Sequence, residues 1–172
     1  MKRILITVCA LLLSMGAQAV DGYKNIKFGS QIKDVMNANL CSFKQYRNVN
    51  NNDKFLTYRC DDFVFESIKT SAIAGFINGE FNRLIIDVNP KKYSPEDLLN
   101  KLWLEYGLAS GYSQCAKDNS CFTSGEPLEV YHDNNTVILT EEKNVNTGGS
   151  SAYLIYTTPD FFEKLDAIKH NH

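Results

Sequence analysis

Residues 73–88 read IAGFINGEFNRLIIDV, two apolar runs on either side of Asn78-Gly79. Asn-Gly between two apolar runs is the favoured two-residue turn of a β-hairpin, because both residues tolerate the positive φ that a type I′ turn requires. Residues 84–88 are apolar enough to form a central strand, and Asn89-Pro90 ends it. The segment therefore predicts an antiparallel hairpin at the centre of the fold.

Further strands are predicted on both sides of this hairpin, each bounded by polar or turn-forming residues. They are residues 41–46, 55–60 and 63–68 before it, and residues 128–131, 136–140 and 152–157 after it. Because most of the connections are short turns, the strands should be antiparallel neighbours. The sequence thus predicts an antiparallel sheet of about six to seven strands.

Three helices are predicted, each from a capping residue followed by apolar residues at helical spacing. Gly29-Ser30 offers the cap of a short helix over residues 31–39, and Thr158-Pro159-Asp160 that of the last helix. The strongest helix begins at Ser94-Pro95 and ends at Gly107. The residues expected to face the core are Leu98, Leu99, Leu102, Trp103 and Tyr106, and in the last helix Phe161, Phe162, Leu165 and Ile168. This order of elements predicts an α+β domain with the three helices packed on one face of the sheet.

The first nineteen residues are predicted to be a cleavable secretory signal peptide. Lys2 and Arg3 precede an apolar run over residues 4–13, and Ala-Gln-Ala at residues 17–19 is a small-x-small cleavage pattern. The apolar run is too short to span a bilayer as a permanent helix. We therefore expect cleavage after Ala19, one globular domain over residues 20–172, no membrane anchor, and delivery to the periplasm of a Gram-negative bacterium, or secretion.

The charge of the remaining chain argues against two classes of partner. Loss of the signal peptide leaves sixteen basic against twenty acidic residues, a net charge near −4. Nucleic acids and anionic membrane surfaces both favour a basic face, so neither is expected. No glycine-rich phosphate loop precedes a helix and no serine lies in Gly-x-Ser-x-Gly, so no cofactor is expected either.

Four cysteines remain after cleavage, because Cys9 lies in the signal peptide. An even count in an exported chain predicts two disulfides, with three possible connectivities. Proximity along the chain favours Cys41–Cys60 and Cys115–Cys121. A metal site would need clustered Cys-x-x-Cys or Cys/His spacing, which these residues do not supply, so no metal is expected.

No catalytic residue is predicted. His132 sits beside a hairpin turn. His170 and His172 lie near the C-terminus without a third ligand, so we interpret these two as solvated. Asp61 and Asp62 are adjacent on a strand, and their side chains should point to opposite faces unless a bulge intervenes.

Residues 108–126 show no periodicity, and nineteen irregular residues are long for a connection within a compact domain. Two interpretations stay open. The Cys115–Cys121 bridge could keep a long loop from fraying while its aromatic residues complete the core. Alternatively, the stapled loop is a binding element with aromatic anchors. The residues that would carry binding are Tyr112, Lys117, Asp118, Asn119 and Phe122.

Residues 26–35, Ile-Lys-Phe-Gly-Ser-Gln-Ile-Lys-Asp-Val, resemble the entry of small exported bacterial modules of the BamE and β-lactamase-inhibitor-protein type. In those modules a glycine and a hydroxyl residue cap a short helix that leads into an antiparallel meander. Residues 94–107 resemble a second such entry in a duplicated, inhibitor-like arrangement. The resemblance implies protein binding by a sheet face and loops, not catalysis. The chain departs from the BamE pattern because it has no lipid-modified cysteine, which argues against a role in outer-membrane assembly.

The sequence therefore predicts an exported, non-catalytic protein-binding module of inhibitor or immunity type with a protein partner in the cell envelope. One alternative is an envelope accessory protein that binds an outer-membrane complex or peptidoglycan. Another is an enzyme that no motif reveals, which would need a deep polar cleft with perturbed acids.

Overall fold

The computed structural model describes residues 20–47, 53–109, 128–133, 136–143 and 149–169, with the backbone alone at residues 47, 95, 128–133 and 143. The predicted signal peptide lies outside these ranges. The elements are β1 (Gly22–Tyr23), β2 (Ile26–Lys27), α1 (Ile32–Asn37), β3 (Lys44–Arg47), β4 (Phe55–Phe65), β5 (Ile68–Ile77), β6 (Glu80–Asp87), α2 (Pro95–Tyr106), β7 (Leu128–Asp133), β8 (Val137–Lys143), β9 (Ser150–Thr157) and α3 (Phe161–Lys169). None of the helices in these ranges is long and apolar enough to cross a membrane.

Seven strands form one antiparallel sheet in the order β3-β4-β5-β6-β9-β8-β7. Two meanders, β3 to β6 and β7 to β9, meet where β6 pairs with β9. Strands β1 and β2 form a separate two-stranded ribbon. The predicted α+β fold with an antiparallel sheet of six to seven strands is therefore confirmed.

The turn at Asn78-Gly79 has the predicted backbone conformation, with φ of 52° and 82° at its two residues. Strand β6, which follows the turn, is also hydrogen-bonded to the segment before α1, since Phe81 N donates to Ser30 O at 2.8 Å. Because the backbone of Ser30 is used in this pairing, α1 begins later than predicted. Its N-cap is Gln31, which makes no side-chain capping bond.

Replacing Gly79 with alanine is expected to lower the free energy of unfolding by about 1–2 kcal/mol, because a Cβ disfavours positive φ. The space itself is open, since the nearest atom to an added Cβ would be Gln31 Oε1 at 3.8 Å. Urea denaturation measures the change. Gly79→Asn is the matched control and should cost less, because asparagine tolerates the left-handed region better than alanine. Equal costs for the two variants would contradict this explanation.

Strand β4 is continuous where the sequence predicted two strands. A register shift between Cys60 and Phe63 shows a bulge at Asp61-Asp62. The chain reverses later, at Glu66-Ser67, where φ is 48° and 65°. A bulge absorbs the two acidic residues without ending the strand, so the prediction of separate strands over residues 55–60 and 63–68 is wrong.

One face of the sheet carries the main core. Helix α1 contributes Val35 and helix α2 contributes Leu98 and Leu102, all at most 5% exposed. The sheet residues of this core with almost no exposed surface are Phe63, Phe76, Phe81, Leu84, Ile86, Val137, Leu139 and Leu154. Helices α1 and α2 therefore pack on this first face, as predicted.

Helix α3 packs on the opposite face, so the prediction that all three helices share one face is wrong. Phe161 and Ile168 form a second cluster with Ile77 and Phe55. Ile77 pairs with Phe55 across the strands, while its chain neighbour Phe76 lies in the main core. Because side chains alternate along a strand, the second cluster belongs to the second face. An amphipathic pattern shows which side of a helix is apolar but not which sheet face it meets.

Two side chains predicted to face the core are exposed instead. Trp103 is 38% exposed and Phe162 is 60% exposed. The others are buried or half-buried, as predicted: Leu98, Leu99, Leu102, Tyr106, Phe161, Leu165 and Ile168. Phe162 lies beside the open part of the second face.

Candidate functional site

Cys41 and Cys60 form a disulfide with a Cα–Cα distance of 6.2 Å, which ties the chain after α1 to strand β4. This confirms the first predicted pairing. Cys115 and Cys121 lie outside the described residues, so the second bridge stays a prediction. Cys41, Cys60 and Asp62 place their sulfur and carboxylate atoms close together. Because both sulfurs are oxidised, they are not the thiolates that bind metal ions.

The adjacent acids beside the disulfide have different partners. Asp62 Oδ1 accepts a hydrogen bond from Ser42 N at 2.9 Å, whereas Asp61 Oδ1 lies 2.9 Å from Arg59 Nη2. The Ser42 side chain and backbone lower the pKa of Asp62, because hydrogen bonds stabilise its charged form. The bulge does not bring the two carboxylates together, because each contacts a different partner. They stabilise the β3–β4 region and do not form an acid pair.

Three tyrosines meet under helix α2. The Tyr23 and Tyr156 rings are 4.9 Å apart, and Tyr106 Oη lies 3.4 Å from Tyr156 Oη. Burial raises the pKa of all three hydroxyls well above the usual value, and repulsion from an ionised neighbouring tyrosine raises the pKa of Tyr156 and Tyr23 further. At neutral pH these hydroxyls are therefore protonated. A cavity of about 350 Å³ borders Tyr156, and the Lys101–Glu66 ion pair lines it.

The second face of the sheet carries a row of four isoleucines. Ile73 pairs with Ile85, Ile85 with Ile155, and Ile155 with Ile138, so the row crosses β5, β6, β9 and β8. Directly opposite residues in antiparallel strands point to the same face, roughly 5 Å apart. Helix α3 covers only the end of this face near Ile77. Within the described part of the chain, none of the four isoleucines belongs to either hydrophobic cluster.

An apolar groove of about 470 Å³ lies over the row. It is lined by Ile73, Arg83, Ile85, Ile138, Thr140, Glu142, Tyr153, Ile155 and Phe162. Ile138 and Ile155 form its most buried part, at 8% and 7% exposed, and Phe162 stands at its rim. We name this feature the isoleucine groove.

Arg83 supplies the positive charge in the isoleucine groove. Its Cζ lies 4.8 Å from the ring centre of Phe161 and 5.5 Å from that of Phe162, so two aromatic rings of α3 hold the guanidinium. Its Nε is buried without a hydrogen-bond partner. Among the described residues, no carboxylate forms an ion pair with it. Burial lowers the pKa of Arg83, but an arginine stays charged at neutral pH.

The predicted site residues do not coincide with this groove. Tyr112, Lys117, Asp118, Asn119 and Phe122 lie outside the described residues, as do His170 and His172, and only the backbone of His132 is described. The residues missed were Arg83 and Phe162. A signal for Arg83 was present, because Arg83 and Ile85 alternate with the wholly buried Leu84 and Ile86 along one strand.

Comparison with known proteins places this chain in a protein family. A family model described as "Uncharacterised protein" matches residues 23–171. A Haemophilus influenzae protein with the description "Uncharacterized protein" is 30% identical over 158 residues, which cover 89% of this chain and 84% of that protein. No solved structure gives a significant match. Since the family model spans both meanders and all three helices, the chain belongs to this family.

Proposed function

We propose that this protein is an exported, non-catalytic binding module of inhibitor or immunity type, and that it captures a protein partner with the second face of its sheet. The observation that carries the proposal is the isoleucine groove, an apolar surface next to a 60% exposed phenylalanine. Aromatic residues and arginine are enriched in the centres of protein interfaces, where a few side chains carry most of the binding energy. Phe162, Tyr153 and Arg83 have these residue types.

Export is supported by the disulfide. Cys41–Cys60 links residues nineteen apart, and Cys60 is 3% exposed, so the bridge belongs to the folded core. Structural disulfides persist in the periplasm and outside the cell, and they are rare in the cytosol. The predicted signal peptide, with cleavage after Ala19, accounts for delivery to that compartment.

The loop over residues 108–126 is the second part of the proposed binding surface. Helix α2 ends at Gly107, where φ is 88°, and delivers the chain to the start of this loop. The resemblance to inhibitor-type modules, in which a sheet face and loops bind, supports the same assignment.

Replacing Phe162 with alanine is expected to weaken partner capture by about tenfold or more, because truncated interface hot spots cost about 2 kcal/mol. The measurement is a crosslinking pull-down from periplasmic extract, followed by titration of the species that the wild type captures. Tyr112→Ala tests the loop in the same assay. Leu104→Ala is the matched control, because Leu104 is 89% exposed on α2, on the other side of the sheet.

The proposal requires that the Leu104 variant captures the partner as the wild type does and that all variants keep the wild-type melting temperature. Full capture by Phe162→Ala would remove the second face from the binding surface, and full capture by Tyr112→Ala would remove the loop. A captured species that binds every variant equally would contradict the proposal as a whole.

A further inference from the structure

We infer that the isoleucine groove binds a single-chain amphiphile with a terminal carboxylate, with the apolar chain over the isoleucines and the carboxylate on Arg83. This goes beyond the proposed function, because it assigns a small-molecule ligand to a groove for which protein binding alone was proposed. The volume of about 470 Å³ lies within the range of small-molecule sites, which are mostly apolar with a few fixed polar groups.

The carboxylate is inferred from the state of Arg83. A charged group that is partly removed from water is normally paired, and leaving it unpaired is costly. Here the Arg83 guanidinium lies against the rings of Phe161 and Phe162, its Nε has no hydrogen-bond partner, and no described carboxylate forms an ion pair with it. A guanidinium binds carboxylates through paired N–H donors, so an anionic head group would complete the site.

The direction of the ligand follows from the charges at the two ends of the groove. Arg83 pairs with Thr157 of β9, and Glu142 pairs with Ser151 of the same strand. The levels of Arg83 and Glu142 in the sheet are therefore six residues apart along β9. At about 3.4 Å per residue this is roughly 20 Å. A negative head group is therefore attracted to the Arg83 end and repelled from the Glu142 end, and the isoleucines lie between the two.

The residues that line the groove between Arg83 and Glu142 are uncharged, which argues for a linear apolar chain. Ile85 and Ile155 form a continuous aliphatic surface between the charged ends, and Thr140 and Tyr153 are the polar residues that line the groove before Glu142. Each CH₂ group that such a surface removes from water should strengthen binding by about fourfold. Affinity should rise with chain length until the chain reaches the Glu142 end.

The test is isothermal titration calorimetry of the purified protein with dodecanoate below its micellar concentration. Dodecyltrimethylammonium has the same chain with a positive head group, and octanoate has the same head group on a shorter chain. We expect saturable binding of one dodecanoate per chain, and binding at least about tenfold weaker for each of the other two ligands. Absence of dodecanoate binding would overturn the inference, and so would equal binding of the cationic amphiphile.

Arg83→Met keeps an apolar stem without the charge, and Arg83→Lys keeps the charge without the paired donors. We expect Arg83→Met to bind dodecanoate at least about tenfold more weakly, with Arg83→Lys in between. Arg59→Met is the matched control, because Arg59 pairs with Ile73 on the same face but does not line the groove. Wild-type affinity in Arg83→Met would overturn the inference. If an Arg83 variant fails to fold, the comparison of head groups on the wild type decides.

Two outcomes would assign the groove to another occupant and reject this one. A dimer in light scattering that Phe162→Asp dissociates would show a second copy on the groove. Partner capture that depends on Phe162, without dodecanoate binding, would leave the proposed function intact and reject only the carboxylate ligand. Dodecanoate binding without any partner capture would support the carboxylate ligand and reject the proposed protein-binding function.

Discussion

Removing the Cys41–Cys60 disulfide is expected to lower the free energy of unfolding by about 3 kcal/mol, with a range of about 2–5 kcal/mol for native disulfides of small exported domains. The bridge closes a loop with a sequence separation of 19. Opening that loop lets the unfolded chain sample more conformations, while the folded sheet stays hydrogen-bonded from β3 to β4. The variant Cys41→Ala/Cys60→Ala should therefore fold but denature at lower urea.

The measurement is urea denaturation in a background with serine at positions 115 and 121, so that only one pair of cysteines can change. Reductant should shift the parent toward the double-alanine variant and leave the variant where it is. The dependence of the unfolding free energy on urea should also steepen, because an unlinked chain exposes more surface when unfolded. A variant with the stability of the parent would show that the bridge contributes nothing beyond the packing around Cys60.

The local parts of the fold could be predicted from the sequence because single residues decide them. Asn78-Gly79 sets a turn by its backbone preferences, and Ser94 caps α2 by accepting from Asp97 N at 3.3 Å. Cys41 and Cys60 were paired because they lie close together along the chain. Each of these features depends on neighbours in the chain, which a sequence shows directly.

The errors arose where distant parts of the chain meet. Nothing along residues 161–168 distinguishes a helix on the first sheet face from one on the second, since the choice depends on where β9 joins the sheet. The pairing of β6 with β9 brings together residues about 70 apart, such as Leu84 and Tyr156. Phe162 was predicted to be buried for the same reason. The sequence shows that its side chain is apolar, but it does not show whether another element packs against it.

The isoleucine groove could not be predicted from the sequence, because each of its strands has the apolar sequence of a buried core strand. Ile85 and Ile155 lie in runs that are apolar on both faces, which is typical of central strands. Only the register of four strands shows that the isoleucines form one row on the face that α3 leaves open. Arg83 gave the one local signal, a positive charge next to the wholly buried Leu84.

The tyrosine cluster leads to the second large effect, a loss of stability at alkaline pH. Tyr23 is 6% exposed and Tyr156 is 4% exposed, and burial keeps both hydroxyls protonated in the folded protein. In the unfolded chain they ionise near the usual tyrosine pKa of about 10. Below this pH both states hold the protons and stability does not depend on them. Above it the unfolded chain releases protons that the folded protein keeps, so the free energy of unfolding falls as pH rises.

The slope rises toward about 1.4 kcal/mol per pH unit for each buried tyrosine once the unfolded tyrosines are fully ionised, and Tyr23 and Tyr156 together contribute about 2 kcal/mol between about pH 10 and pH 11. Tyr106 adds less, because solvent reaches its half-buried ring. Urea denaturation at successive pH values measures the slope, and Tyr156→Phe should remove one tyrosine's share of it. Tyr46→Phe, at a side chain that is 49% exposed, is the control and should leave the slope unchanged. An unchanged slope in Tyr156→Phe would mean that the hydroxyl ionises in the folded protein, and hence that water enters beneath α2.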